Sequence, residues 1–349
     1  MRVFLFAFMF LVGNSNPLSA QDPIFGQFYA APNHLNPAMT GLFQGSVRVN
    51  LNYREQWQSI MPSTPFRTMG ASFEWRNRAL KNDYFTLAFN ALRDQVGTSN
   101  FTTTRGNIGF SYAKQLSGGR YRSSDQFLIA GGQVGAGQHK LNYEKLWFSR
   151  QFDASSGDVN LTLSNGENFT QTSTDMYLDF NAGLLWYALF DDNLSIYAGG
   201  AMFHLNSPNI SFLGDANEVL SRRWLLNVGG EIPFSKQLSI LPGFMITGQN
   251  VSRTMMMGGN LRYTNRDWRE VALRAGVFGQ VSNKLEDEML FHSLIFGATL
   301  EMEKWSIGIS YDVNVSSVSA LSNGRGAYEL SFIYVQPAKY REKVKCPKY

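Results

Sequence analysis

The stretch Val47-Arg48-Val49-Asn50-Leu51-Asn52-Tyr53-Arg54 decides the fold. Side chains alternate across a β-strand. Val47, Val49, Leu51 and Tyr53 therefore form one apolar face, and Arg48, Asn50, Asn52 and Arg54 form a polar one. A strand of that kind suits a wall between lipid and a wet lumen. The same alternation returns far along the chain, where Trp305, Ile307, Ile309, Tyr311 and Val313 interleave with Ser306, Gly308, Ser310, Asp312 and Asn314.

Extended along the chain, this two-residue period predicts strands over 45–57, 65–76, 83–92, 103–114, 126–138, 175–189, 194–205, 223–233, 237–247, 253–263, 269–280, 289–301, 304–315 and 326–336. About fourteen strands, an even number, match a bacterial outer-membrane barrel. Such barrels alternate short periplasmic turns with longer outer loops. Asp191-Asp192-Asn193, Phe234 to Lys236 and Met302-Glu303 are tight, whereas Lys140 to Thr174, Asn206 to Arg222 and Ser316 to Arg325 are long. Gln115 to Asp125 is longer than its place in the alternation allows.

Residues 1–20 have Arg2 as the lone charge, an apolar run from Val3 to Val12, and small residues at Ser19-Ala20. This is the pattern of a secretory signal peptide, and the run is too short to span a bilayer as a helix. The expected organisation is a signal peptide over 1–20, a periplasmic arm over 21–44, an outer-membrane barrel over 45–336 and a basic periplasmic tail over 337–349. Charged residues make up 17% and aromatics 14% of the chain, and the mature part holds no apolar stretch long enough for a membrane helix. The net charge of +4 is spread without basic runs, so nucleic acid is not an expected partner. Cys346 is the only cysteine, which excludes an intrachain disulfide and a cysteine metal cluster.

A soluble β-sandwich also needs alternating strands, but it leaves two features unexplained. Aromatics gather near strand ends at Trp57, Trp75, Tyr84, Trp186, Tyr187, Trp224 and Trp305, as in the girdles of membrane barrels. Glycine pairs at 131–132, 199–200, 229–230 and 258–259 fall inside strands, where they read as sites of wall curvature more than as a ligand site.

Ahead of the first strand lie Gln21-Asp22-Pro23, Phe25, Gln27-Phe28-Tyr29 and Asn36-Pro37-Ala38-Met39-Thr40-Gly41, a proline-interrupted and turn-rich arm. This segment resembles the mature start of the PorP/SprF family, outer-membrane proteins associated with the type IX secretion system of Bacteroidota. Arg325-Gly326-Ala327-Tyr328-Glu329-Leu330-Ser331 and the terminal Cys346-Pro347-Lys348-Tyr349 are similar to that family's closing strand and end. The resemblance implies a non-enzymatic role in protein export and, in some members, gliding motility. The implied partners are periplasmic ring and peptidoglycan-linked components, and a dedicated cargo with a C-terminal sorting domain. Outer-membrane lipid would surround the wall.

An even strand count sets both chain ends on the periplasmic side. Phe25, Phe28, Tyr29, Asn36 and Pro37 of the arm, with Lys343, Lys345, Cys346, Pro347 and Tyr349 of the tail, are then candidate partner-binding residues. The arm's aromatics can anchor an interface, or they can pack on the barrel itself.

No enzyme chemistry is expected. Leu321-Ser322-Asn323-Gly324-Arg325 superficially resembles the serine motif of outer-membrane phospholipases, but position 320 is Ala320 where that motif needs histidine, and Asn-Gly is a hairpin turn signal. His34, His139, His204 and His292 lack metal-ligand spacing, and Asp153 to Asp158 with Asn165 to Asn168 lack the alternation of a calcium loop. No cofactor is expected. The competing reading is a porin or small-molecule transporter, with Arg48, Arg54, Arg67 and Arg274 facing an aqueous lumen.

Overall fold

The computed structural model describes residues 21–79, 83–118, 124–153, 155–160, 162–164, 166, 171–190, 194–264, 271–283, 289–316 and 324–337. The sequence-predicted signal peptide, Asp191 to Asn193, Ser322-Asn323 and the tail residues Lys343, Lys345, Cys346, Pro347 and Tyr349 lie outside the described residues. The wall begins with β1 (Val47–Gln56), β2 (Phe66–Arg78), β3 (Tyr84–Val96), β4 (Phe101–Ser117) and β5 (Ser124–Lys140). A small hairpin of β6 (Phe152–Asp153) and β7 (Asp158–Val159) stands apart in the long connection that follows. The wall continues with β8 (Tyr177–Phe190), β9 (Ser195–Phe203), β10 (Arg223–Pro233), β11 (Leu238–Gln249) and β12 (Ser252–Thr264). It ends with β13 (Ala272–Asn283), β14 (Met289–Glu301), β15 (Trp305–Asn314) and β16 (Arg325–Gln336).

Each wall strand pairs antiparallel with its sequence neighbour, and β1 closes on β16 with Val47 opposite Gln336 and Gln56 opposite Ala327. The result is a closed barrel of fourteen strands. Closure leaves no strand edge, which is what a β-structure in lipid requires. Among the described residues, no helix is long and apolar enough to cross a membrane.

The alternation points as the period-two reading expects. Arg48, Asn50, Asn52 and Arg54 are buried inside while Leu51 is 47% exposed outside, and Gly308, Ser310, Asp312 and Asn314 face inward against exposed Ile307, Ile309 and Tyr311. Gln115 to Asp125 proves ordinary, because β4 runs on to Ser117 and β5 starts at Ser124, with a register shift between Gln115 and Ser117 absorbing the excess. Three side chains point the other way from the expectation. Tyr187 is buried in the lumen, and Tyr84 lies on the inward face of β3 with Thr86, Ala88 and Asn90, so neither belongs to an outer girdle. Arg67 lies on the outward face of β2 and pairs with Glu55 at 2.8 Å instead of lining the lumen.

The two rims differ. One, the turn rim, holds the end of β16, the start of β1 and the tight connections Phe234–Gln237 and Met302–Lys304. The other, the loop rim, holds the connection 141–176 with its hairpin and the segment 204–222 between β9 and β10. Trp75 and Trp305 sit toward the turn rim and Trp224 at the loop rim, the two heights at which amphipathic rings meet headgroups.

Candidate functional site

The arm fills the lumen. Residues 21–46 precede β1 without adding a strand to the wall, and run from the loop rim to the turn rim through three short helical turns at Phe28–Ala30, Pro32–Leu35 and Pro37–Met39. The prolines account for this shape: Pro32 and Pro37 each open a turn, where a missing N–H costs nothing and the fixed φ is already helical. Asn36 is extended and its side-chain oxygen caps the last turn by accepting the Ala38 N–H at 2.9 Å. Gly41 then adopts φ +82°, and a Cβ there would strike Thr86, so the exit from the lumen requires glycine.

At the loop rim, the Asp22 carboxylate is held by Arg105, by His204 Nε2 at 2.7 Å and by Arg223 at 3.5 Å, and its N–H donates to Gln249 at 2.8 Å. His204 Nδ1 faces Asp179 at 2.8 Å, so the imidazole bridges two carboxylates while two arginines flank Asp22. Below this, Glu329 accepts the N–H groups of Gly26 and Gln27 at 2.6 and 2.8 Å, pairs with Arg54, and is joined by Asp312 on the same guanidinium at 2.9 Å. The Gln27 carboxamide bonds Ser310 and Ser331 at 3.1 and 2.8 Å.

Mid-lumen contacts combine apolar packing with side-chain amides. Phe28 packs edge-on against Phe278 with ring centroids 5.4 Å apart, Tyr29 lies 5.6 Å from the same ring, and the Arg274 guanidinium sits 5.9 Å from the Tyr29 ring. Phe28, Leu35, Ala38 and Met39 join Phe127, Ile129, Leu185, Tyr187 and Met245 in one apolar core inside the barrel. Each fully buried large side chain of this kind contributes about 1.5–3 kcal/mol. Asn33 donates to Asn90 at 2.9 Å, and Asn36 donates to Asn227 at 3.0 Å.

Two strand glycines explain the fit at this level. A Cβ on Gly131 would collide with the Pro37 carbonyl and the Ala38 nitrogen, and one on Gly183 would collide with the Asn36 carboxamide. Gly131, read as a place of curvature, is therefore a seat for the arm.

The turn rim is latched by a second buried pair. Arg48 and Glu74 meet through Nε to Oε1 at 2.6 Å and Nη2 to Oε2 at 2.9 Å, and both are essentially inaccessible. Glu74 also accepts the Gly41 N–H at 2.8 Å, Arg48 donates to the carbonyls of Met39 and Leu42, and Arg76 donates to that of Phe43. Just outside the wall strands, the Tyr112 hydroxyl and then the Lys114 ammonium hold the Asp83 carboxyl below the usual carboxylate range.

Phe25, Phe28, Asn36 and Pro37 are thus buried in the lumen, and Tyr29 is partly buried there. In this position the barrel wall covers them. The arm also reverses the expected geometry of the ends. Asp22 lies at the loop rim beside Arg223, Gln249 and Thr254, while Gln336 pairs at the turn rim with Val47, so the start of the arm and the end of β16 lie at opposite rims. Sequence reasoning passed over Glu74, Arg105 and Arg223, whose one signal was a charge at a lumen-facing position, and quoted Asp22 and Glu329 only within the end motifs.

His139 and His204 come together near Arg105, with Tyr177 stacked on His139, but no group of metal-binding side chains occurs among the described residues. Asp153 Oδ1 in the long loop accepts the Ser155 hydroxyl and amide at 2.6 and 2.9 Å. Gly324 has φ +74° at the start of β16, as a turn glycine would.

Among solved structures, the barrel is similar to "CymD monoaromatic hydrocarbon channel" (14% identity over 89% of this chain and 94% of that one, TM-score 0.45). It is also similar to the toluene transporters TodX of P. putida (12%, 86% and 93%, 0.44) and TbuX of Ralstonia pickettii (13%, 87% and 92%, 0.46). None of the curated proteins matches the chain in sequence. A sequence model described as "Type IX secretion system membrane protein PorP/SprF" matches residues 18–334, which takes in the lumenal arm and nearly the whole wall through β16. One family model thus takes in arm and barrel together, and the chain belongs to the PorP/SprF family of type IX secretion system membrane proteins.

Proposed function

We propose that this protein is a non-enzymatic outer-membrane component of the type IX secretion system that links export of secreted or surface-attached proteins, gliding adhesins among them, to the periplasmic machinery. The family match over arm and wall together carries this reading. Long loops on outer-membrane barrels face outward and short turns face the periplasm. On that rule the Asp22 end of the arm opens toward the cell surface, and residues 337–349 follow β16 into the periplasm. The tail, with Lys343, Lys345, Cys346, Pro347 and Tyr349, is then the segment placed to meet ring and peptidoglycan-linked components. Phe25, Phe28, Tyr29, Asn36 and Pro37 serve by holding the lumen shut, and a dedicated cargo with a C-terminal sorting domain would meet the loop rim. A lumen filled by the chain's own arm favours a linking role over solute flow.

The test is affinity purification from the native envelope. Ring components and a cargo protein should co-purify with the full chain, and the ring components should be lost when residues 339–349 are deleted. Recovery of the barrel without either, together with steady solute conductance, would overturn the proposal in favour of a porin.

A further inference from the structure

We propose that the lumen is a binding site for a polypeptide segment, read largely through its main chain, and that residues 21–43 are its resident and exchangeable ligand. The wall is complete without the arm: β1 pairs with β2 and β16, and no ladder bond runs from the arm to any strand. Removing the arm therefore breaks no strand pairing. Its covalent tie is the short connector 44–46.

The wall treats the arm as a peptide. Glu329 and Glu74 accept its N–H groups, while Gln133 and Ser111 donate to the carbonyls of Asn33 and Thr40 at 2.9 and 2.6 Å. Main-chain groups are common to every polypeptide, so these bonds recognise the class of ligand and not one sequence. Selectivity comes from two places. Asp22 is the carboxylate that pairs with both Arg105 and Arg223, and without it two buried guanidinium groups would lose that partner, so the loop end calls for a carboxylate. At mid-lumen the Asn227 amide and the bare Gly131 and Gly183 admit an Asn-Pro turn. The ligand is an acidic-headed segment of turn-rich chain, supplied by this molecule or by another polypeptide. This inference does not depend on the export role, since it concerns the barrel and a peptide alone.

The experiment uses the full chain with a protease site inserted between Gln44 and Gly45, cut after folding in detergent. A fluorescent peptide of residues 21–43 should exchange into the cut protein and raise anisotropy. The same peptide with Asp22→Ala and Asn36→Ala should bind at least about tenfold more weakly, the loss expected for one buried charge-assisted contact and one buried hydrogen bond. A scrambled peptide should not bind. Uncut protein carrying those two substitutions in its own arm should likewise take up the unmodified peptide. Failure of the peptide to enter either form while the barrel stays folded overturns the proposal. Equal binding of the scrambled peptide does so too.

Discussion

Replacing Glu74 by Gln tests the latch at the turn rim. The carboxylate neutralises Arg48 through two charge-assisted bonds and also takes the Gly41 N–H. The amide keeps the volume but removes the charge, and it turns one acceptor into a donor that faces another donor. Arg48 then keeps one amide oxygen and the carbonyls of Leu42 and Met39 but loses its counter-charge, in a site closed to water. Breaking a buried pair from one side costs about 3–5 kcal/mol, whereas replacing both partners with apolar residues is often neutral. Glu74→Gln should therefore lose about 3–5 kcal/mol, and Arg48→Met with Glu74→Leu should recover a large part of it. Reversible urea unfolding in micelles, followed by tryptophan fluorescence, measures both. A loss below about 1 kcal/mol for Glu74→Gln, the range of a solvated surface pair, would refute burial of the latch and with it the lumenal position of the arm.

Gly131→Leu should force Pro37 and Ala38 from their seat while the wall stays closed, so planar bilayers that are silent with the parent protein should show conductance; continued silence would contradict the fit described for that glycine. In a Cys346→Ser background, Gln21→Cys and Ser235→Cys should be labelled by a membrane-impermeant maleimide from opposite faces of sealed vesicles, and labelling from one face would contradict the rim-to-rim course of the arm. Ile309→Arg, on the outward face of β15, should cost about 2–4 kcal/mol at the bilayer midplane, read from unfolding in lipid vesicles. A cost near zero would remove that face from the lipid.

The wall was legible because period two is a local signal, renewed at every strand and tied to which face meets lipid. Strands such as Arg223–Pro233 and Met289–Glu301 end where the sequence alone sets them. Strand phase, read from the neighbours, also contains the answer for Tyr84 and Arg67: Thr86, Ala88 and Asn90 fix the first inward, and Thr68, Ser72 and Glu74 fix the second outward. The arm was less legible. Its turns carry no periodicity, and its charged partners are distant, Glu329 meeting Gly26 at a separation of 303 residues. A strand count is silent about the start of the arm for a related reason, since the count covers the wall and omits a pass through the interior.

That extra pass makes the molecule a transmembrane lever as well as a wall. A length of chain is anchored by buried charges at each rim, Asp22 at one and the Arg48–Glu74 pair at the other, and no ladder binds it in between. A pull on the Asp22 end is resisted first by side chains, and once these yield it reaches β1 directly through the connector 44–46. A barrel that passes no solute would still pass tension.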